Sequence, residues 1–255
     1  MRLLFENWRK YLAEEQEAYI YFENPIQLDE KKGAKQKFIK SLKDALPKED
    51  INKIKGLLDR LEVMGKGKRK HSMRVSSNVA SVSSDKDVVL GALFHDYVER
   101  HPNCKEFECL DELPVSKKSV ALIRALSSVN KNINPNAANE PLEHMKAVFN
   151  PEDPKKLLPQ GVLNNLVMIK VGDRVDNLNR RIHDEGKVGK GYLKKSIDLI
   201  SWLQAQYKGD SPEKIDNLLD ALEKKLSKKV GKKLSKRKEE EPGISTGGGA
   251  NETVI

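Results

Sequence analysis

The sequence predicts an all-α protein, and three observations lead to this fold class. Apolar residues recur at helical spacing through several long segments. Residues that begin helices, such as Asp85 and Ser211, precede these segments, and prolines or glycines separate them. A chain of 255 residues can bury one sizeable core, but 33% of its residues are charged, so part of it is expected to lie outside that core. The clearest amphipathic segments are 51–64, 88–100, 161–182 and 192–207.

The N-terminal segment, residues 1–24, is predicted to form an amphipathic helix that ends before Pro25. This helix either packs on the main domain, which is the favoured interpretation, or is a detachable leader. Residues 3–12 are similar to the leaders of tailed-phage proteins that are packaged into heads. Residues 12–14, Leu-Ala-Glu, fit the Leu-x-Glu cleavage pattern of phage maturation proteases. The leader interpretation implies a phage protein.

The next segments lead to the first candidate ligand. Residues 28–46 predict a helix that ends at Pro47, and a second helix begins there and continues through Met64. Residues 65–70, Gly-Lys-Gly-Lys-Arg-Lys, lack periodicity and are expected to form a loop before His71. The loop is either a solvated turn or a phosphate-binding loop, and its position beside a candidate ligand gives both interpretations similar weight.

The central segment, residues 88–100, predicts one buried helix that carries the adjacent pair His95 and Asp96. A further acid, Glu99, follows about one turn later. Burial of an imidazole and a carboxylate in an apolar helix is costly unless something pairs with them. A divalent cation accepts both groups as ligands. A second helix is predicted to begin at His71, which makes this residue a matching candidate.

Three further segments complete the predicted domain. Residues 115–129 predict a core helix, and the Pro/Asn-rich residues 130–141 predict a loop that is a candidate lid over a site. Residues 186–191 predict a flexible turn before the helix over 192–207.

Residues 161–182 predict the strongest helix of the C-terminal half. Asp173 and Asn177 are four residues apart and therefore lie on one face. Asp176 and Arg180 form a second pair of this kind, which predicts a surface ion pair of little energetic value. Asp173 becomes a candidate metal ligand only because a His-Asp pair exists elsewhere in the chain.

The C-terminal region is strongly basic. Residues 211–238 predict an amphipathic helix, of which residues 223–238 hold nine Lys or Arg against one Glu and supply most of the formal net charge of +9. No aromatic residue interleaves the lysines, which favours a solvated helix extension. Binding to nucleic acid or an anionic surface is the alternative interpretation. Residues 239–255 predict a disordered tail.

Composition excludes some classes of protein. No apolar run approaches the ~20 residues of a membrane span, and no signal peptide is recognisable. The two cysteines, Cys104 and Cys109, are expected to be free thiols in a reducing cytoplasm. His101, His144 and His183 are interpreted as ordinary surface or core histidines, so we do not expect them to be ligands.

The order of the ionisable clusters on three predicted helices, His71, then His95-Asp96, then Asp173, resembles that of the HD-domain metal phosphohydrolases. The likeness is strongest to the hydrolase domain of RelA/SpoT-type enzymes and to the small alarmone hydrolases. Residues 92–99, Ala-Leu-Phe-His-Asp-Tyr-Val-Glu, resemble their ALLHDxVED segment. Residues 169–178 resemble their IKLADRxxNL segment. The resemblance covers residues 50–208 and implies an HD-type helical bundle over residues 25–210.

The resemblance also implies roles for individual residues. The metal is expected to be Mn²⁺, although Fe²⁺ or Zn²⁺ would suit the same two nitrogens and two carboxylates. Glu99 is predicted to orient or deprotonate the attacking water, and Asn177 to hold a sugar or a water. The predicted metal ligands are His71, His95, Asp96 and Asp173, and the predicted substrate-binding residues are Lys66, Lys68, Arg69, Lys70 and Arg100.

The sequence departs from the family pattern at three places. Glu99-Arg100 stands where the family has Glu-Asp, so Arg100 replaces an acid assigned to the water and the leaving group. The family's Arg-Lys loop is not recognisable, and residues 65–70 stand in for it by charge and place. The interval from Asp96 to Asp173 is longer than in the family.

The predicted function is Mn²⁺-dependent hydrolysis of a guanine nucleotide alarmone, with release of pyrophosphate from its 3′ position. The first alternative is an HD phosphohydrolase that acts on another nucleotide, which the replacement at Arg100 would allow. The second is a non-catalytic HD-like protein that binds nucleic acid through the Lys-rich residues 223–238. The expected location is the cytoplasm.

Overall fold

The computed structural model describes residues 19–21, 33–101, 104, 107–127, 140–182, 187–209 and 213–219. Helices dominate these residues, which confirms the predicted all-α class. Short 3-10 segments connect several of them, and one two-stranded sheet joins β1 (Tyr19–Tyr21) to β2 (Lys187–Gly189). The helices are α1 (Ala34–Leu42), α2 (Lys48–Leu57), α3 (Lys66–Ala80), α4 (Lys86–Leu93), α5 (Tyr97–Arg100), α6 (Lys117–Leu126), α7 (Pro141–Phe149), α8 (Gln160–Arg180) and α9 (Lys190–Gln206).

The apolar core consists of two clusters that meet at α3 and α4. The first surrounds α8 and includes side chains of α6, α7 and α9, and the second includes α1, α2 and α5. Helix α4 contributes Val88 and Ala92 to the first cluster and Val89 and Leu93 to the second. It is therefore buried on all sides, as its uninterrupted apolar sequence predicts. Its N-cap is Asp85, whose side chain accepts a hydrogen bond from the Asp87 amide, as expected.

The prediction of one continuous helix over residues 88–100 is wrong. Helix α4 ends at Leu93, and a turn over residues 94–96 separates it from α5. The His95 side chain gives the physical reason, because its Nδ1 lies 2.8 Å from the carbonyl oxygen of Ala92. That carbonyl would accept the Asp96 amide if the helix continued. The turn leaves His95 and Asp96 at the end of a buried helix.

The prediction of a loop over residues 65–70 is also wrong. Gly65 has φ +76°, which few residues other than glycine adopt, and α3 begins immediately after it at Lys66. The basic residues that follow have no apolar periodicity, but Lys and Arg favour helices intrinsically. His71 is therefore inside α3 and not at its start.

The N-terminal helix prediction fails at its end. Residues 19–21 form β1, which pairs antiparallel with β2, with Tyr19 opposite Gly189. The sequence Tyr-Ile-Tyr has the aromatic and β-branched composition of a strand. Strand β2 occupies residues 187–189 of the turn that was predicted over residues 186–191, and α9 begins directly after it. The rest of the predicted helix or leader, residues 1–18 and 22–24, lies outside the described residues.

The other predicted helices are present with shifted ends. Helices α1, α6, α8 and α9 lie within the segments predicted for them or begin one or two residues earlier. Residues 213–219 are helical, at the start of the basic helix predicted over 211–238. Residues 130–139 of the candidate lid lie outside the described part of the chain, as do the Lys-rich strip and the predicted tail. The domain boundaries stay predictions.

The expectation of free thiols is wrong, because Cys104 and Cys109 form a disulfide. The 3-10 segment Glu108–Leu110 turns the chain here, and the two Cα atoms lie 5.0 Å apart, within disulfide range. Disulfides are typical of oxidising compartments, so the prediction of a cytoplasmic location loses the support that free thiols gave it. Within the described ranges, no helix has the length and apolarity needed to span a membrane.

The contact of α4 with α6 and α8 depends on Gly91. A Cβ atom at this position would lie 3.1 Å from Leu122 Cβ and 3.2 Å from Ile169 Cδ1. We expect Gly91→Val to lower the free energy of unfolding by about 1–3 kcal/mol through overpacking. Gly56→Ala in α2 is the matched control, since its Cβ would meet nothing within 4 Å, and it should stabilise by up to about 1 kcal/mol. Urea unfolding measures both, and equal stability of Gly91→Val and the wild type would contradict this packing.

Candidate metal centre

Three distant parts of the chain bring His71, His95 and Asp173 together. His71 lies on α3, His95 follows α4, and Asp173 lies on α8, and all three are buried. One nitrogen or oxygen atom of each residue lies within 4.8 Å of the other two. Asp173 Oδ1 is 3.2 Å from His71 Nε2 and 3.7 Å from His95 Nε2. The predicted helices therefore converge on three of the four predicted ligands.

The fourth predicted ligand, Asp96, borders this group. Its Oδ1 atom lies 3.1 Å from His95 Nε2, and its Oδ2 atom lies 4.0 Å from His71 Nε2. The Lys68 Nζ atom is 3.4 Å from the same Oδ2 atom. Asp96 is therefore placed to share a cation with the two histidines, although it is more exposed than they are.

The close approach of α3 to α8 depends on a second glycine. A Cβ atom at Gly172 would lie 3.3 Å from Val79 Cγ2 of α3 and 3.8 Å from the carbonyl oxygen of Val75. A side chain at this position would press the two helices apart. The glycine directly before Asp173 therefore lets α8 carry this acid close to α3.

His95 presents a buried nitrogen that makes no well-aligned hydrogen bond. Its Nδ1 atom is 2.8 Å from the Ala92 carbonyl, which only accepts, so Nδ1 carries a proton and donates it. Its Nε2 atom is buried and makes no hydrogen bond of good geometry with a described residue, although Asp96 Oδ1 lies 3.1 Å away. This nitrogen faces the carboxylates of Asp96 and Asp173. A lone pair directed at two acids requires a positive charge between them, and a metal ion or a proton would supply it.

His71 is oriented by an acid that the sequence analysis misjudged. Its Nδ1 atom lies 2.7 Å from Asp176 Oδ2, and Arg74 donates to both oxygens of this carboxylate at 2.7 and 3.1 Å. Asp176 is buried, so the prediction of a surface ion pair with Arg180 is wrong about its environment. A carboxylate on the far nitrogen of a histidine is a common support for metal ligands. The sequence feature that could have indicated this role is the spacing of three residues between Asp173 and Asp176, because residues three apart lie on the same face of a helix.

The protonation of the cluster reflects its buried charges. Burial lowers the pKa of His71, but hydrogen bonds with Asp173 and Asp176 outweigh it and raise this pKa to about 9. Burial also opposes the ionised form of Asp173, yet Lys170 and the two imidazoles hold its pKa well below the usual range. Interaction with Asp96 and Asp173 raises the pKa of His95 in spite of its burial. The acids are ionised, and the site attracts positive charge.

Polar side chains surround the cluster. Lys170 Nζ lies 3.1 Å from Asp173 Oδ2, and Asn177 donates to Asp173 Oδ1 at 2.6 Å, as its predicted position on the same face implies. The sequence analysis did not identify Lys170 as a site residue. Its position three residues before Asp173, on the same helix face, could have indicated this contact. Lys68 contacts the site through Asp96, whereas Arg69 pairs with Glu62 at 3.1 Å on the outside of the helix.

The remaining predicted site residues have no demonstrated part in the cluster. Lys66 and Arg100 are exposed, and Lys70 and Glu99 are half-buried. Glu99 lies on α5, and its charge acts on the buried His144. The roles predicted for these four residues stay predictions.

Comparison with known protein families, with curated proteins and with solved structures finds no match to this chain. The interpretation of the site therefore depends on its own geometry. Two imidazole nitrogens and one or two carboxylates form a donor set that suits Mn²⁺, Fe²⁺ or Zn²⁺. The Nε2 atom of His95, which has no well-aligned hydrogen bond, and the ring of His71, which Asp176 orients, both fit such an ion.

His144 contrasts with the two cluster histidines. It is buried, and its Nε2 atom lies 2.9 Å from the Ala125 carbonyl oxygen, consistent with a core residue and not a ligand. Burial lowers its pKa below 6.5. His101 packs its ring 5.2 Å from that of Tyr97, and His183 lies outside the described residues.

We expect Asp176→Asn to weaken Mn²⁺ binding about 10–100-fold, because it removes the charge that orients His71 without removing a ligand. Asp173→Asn should abolish binding, since it replaces a ligand. Asp198→Asn, at an exposed position of α9, is the control and should bind as the wild type does. Isothermal titration calorimetry measures all four proteins. Wild-type affinity in Asp176→Asn would contradict the supporting role.

His144 predicts a pH dependence of stability. Its pKa is lower in the folded protein than in the unfolded chain, so the unfolded chain binds the proton first as pH falls. The corresponding stability is complete above about pH 6.5 and is lost as pH falls below it. The free energy of unfolding of the wild type, relative to that of His144→Gln, should therefore decrease between pH 7.5 and 5.5. Urea unfolding at both pH values measures this difference, and a constant value would refute the prediction.

Proposed function

We propose that this protein is a divalent-metal-dependent phosphohydrolase of the HD type. The observation that carries the proposal is the convergence of His71, His95 and Asp173 from three separate helical regions into one buried group. Such residues would be costly to bury together without a cation. A surface arrangement of salt bridges does not account for a buried His95 Nε2 atom that faces two carboxylates without a well-aligned hydrogen bond.

The proposed chemistry divides between the ion and the chain. When bound by His71, His95, Asp96 and Asp173, a divalent ion supplies Lewis acidity, which lowers the pKa of a bound water and offsets charge on a phosphoryl oxygen. Asn177 and Lys170 hold Asp173 in position, and Lys68 is available to neutralise substrate phosphates beside Asp96.

Proton transfer is assigned to Glu99. This residue follows the His-Asp pair on α5 and is half-buried. A carboxylate in such a position can accept a proton from the attacking water. Its neighbour Arg100 is exposed and is proposed to attract the anionic substrate from solvent.

The proposed substrate is a guanosine 3′-diphosphate alarmone, with pyrophosphate as product. Support comes from the resemblance of residues 92–99 and 169–178 to the RelA/SpoT-type hydrolase segments. Another nucleotide is the second candidate, because Arg100 replaces the second acid of that pattern. Nucleic-acid binding through residues 223–238 depends on a segment outside the described residues.

The test is hydrolysis of ppGpp by the full-length protein, with release of pyrophosphate measured with Mn²⁺ and after removal of metal by EDTA. We expect activity only with the metal, and we expect the double variant His95→Ala, Asp96→Ala to lose at least about 10³-fold. Asp198→Asn is the folded control and should retain wild-type turnover. Circular dichroism verifies that the double variant is helical.

Different failures of this test have different meanings. Hydrolysis of other guanine or adenine nucleotides, but not of ppGpp, with the same metal dependence would contradict the proposed substrate and support the proposed metal centre. Mn²⁺ binding without turnover of any nucleotide would refute the proposed enzymatic activity. Metal-independent turnover that survives the double substitution would refute the site.

A further inference from the structure

A large groove lies on the face of the protein that α6 and the end of α7 form. Its volume is about 1330 Å³. Residues of two segments line it, 107–125 on the first wall and 147–158 on the second wall, and the four predicted metal ligands are not among them. Pockets for drug-sized ligands usually measure ~300–1,000 Å³. This groove therefore has room for a partner larger than a small molecule.

Both walls of the groove present apolar side chains that are only half-buried. Phe107 and Val120 lie on the first wall, and Leu158 lies on the second. The first wall is also braced, because the disulfide between Cys104 and Cys109 closes the segment that contains Phe107. A braced apolar surface loses little conformational freedom when a partner covers it. The groove is therefore a preformed apolar surface.

An exposed leucine lies at the edge of the second wall. Leu157 stands between Lys156 and Leu158, which both line the groove, and its exposed fraction is 56%. A single exposed leucine is ordinary on a protein surface, but one beside an apolar groove enlarges the apolar patch, and such patches are typical of protein interfaces. A twofold axis that brings two copies together at this face would place Leu157 of each copy at the groove of the other.

The charges of the two walls are complementary to each other. Lys117 on the first wall and Glu152 on the second are exposed, and neither forms an ion pair with another described residue. Each wall has one further acid and one further base, whose charges offset each other. These are Asp111 and Arg124 on the first wall and Asp153 and Lys156 on the second. A twofold axis through the groove brings the first wall of one copy opposite the second wall of the other, so the groove matches a second copy of itself in charge.

We propose that this groove is the interface of a twofold-symmetric homodimer. Leu157 of each copy packs into the groove of the other, and Lys117 of one copy lies opposite Glu152 of the other. Burial of the apolar groove and of Leu157 supplies the driving force for association. The opposite charges of the two walls determine the relative orientation of the copies. The interface uses none of the residues of the metal centre, and it does not depend on the proposed hydrolysis.

The experiment measures the dissociation constant of the dimer of the full-length protein by sedimentation equilibrium at constant ionic strength. We expect the wild type to dimerise reversibly. Leu157→Glu should raise the dissociation constant at least tenfold, because it places a charge in an apolar groove. Val63→Glu is the matched control, since Val63 is also a large apolar residue with an exposed fraction of 44% and does not line the groove. It should dimerise as the wild type does.

A charge exchange tests the orientation of the two copies. Lys117→Glu should raise the dissociation constant at least tenfold, because it sets two acids opposite each other. Addition of Glu152→Lys to this variant should restore the wild-type value, which a loss of monomer stability could not do. Circular dichroism verifies that all variants are helical. A wild type that is monomeric at every concentration would overturn the proposal and leave the groove to a different partner. A dimer that Leu157→Glu does not weaken, or a defect that the second substitution does not reverse, would also overturn it.

Discussion

The pairing of buried imidazoles with buried carboxylates between α3 and α8 is the interaction on which the rest of the structure depends. His71 lies between Asp173 and Asp176, and each of these groups loses its hydration when the helices pack. Burial alone disfavours the charged form of every residue in this group. The contacts between these residues compensate for this cost only while their atoms stay within hydrogen-bond distance. The apolar clusters on both sides of this group therefore hold three helices in the one arrangement in which these charges are paired.

Much of the fold can be predicted from the sequence, and three of the four predicted ligands form one buried group in the structure. His95 and Asp96 are recognisable because burial of an imidazole and a carboxylate in an apolar segment is costly without a partner. His71 and Asp173 then follow as matching ligands from other helices. The turn after α4 is not predictable in this way, since the apolar spacing continues through Val98. It results from one side-chain contact, between His95 and the Ala92 carbonyl, that periodicity does not reveal.

Other features were missed because they depend on residues far apart in the chain. Asp176 has the spacing of an ordinary surface residue, and its burial against Arg74 becomes apparent only when α3 packs on α8. The β1–β2 pair joins two three-residue segments that are too short to show a period. The disulfide was missed because cysteine count alone gives no information about the distance between Cys104 and Cys109.

The position of α4 between the two apolar clusters has a consequence for dynamics. Because α4 contributes side chains to both clusters, opening of one half of the core leaves this helix packed against the other half. The backbone amides of residues 88–93 should therefore exchange with solvent only when the whole domain unfolds. The ligand pair at the end of α4 is thus attached to the most slowly opening segment of the chain, and thermal fluctuation of the outer helices would leave its position unchanged.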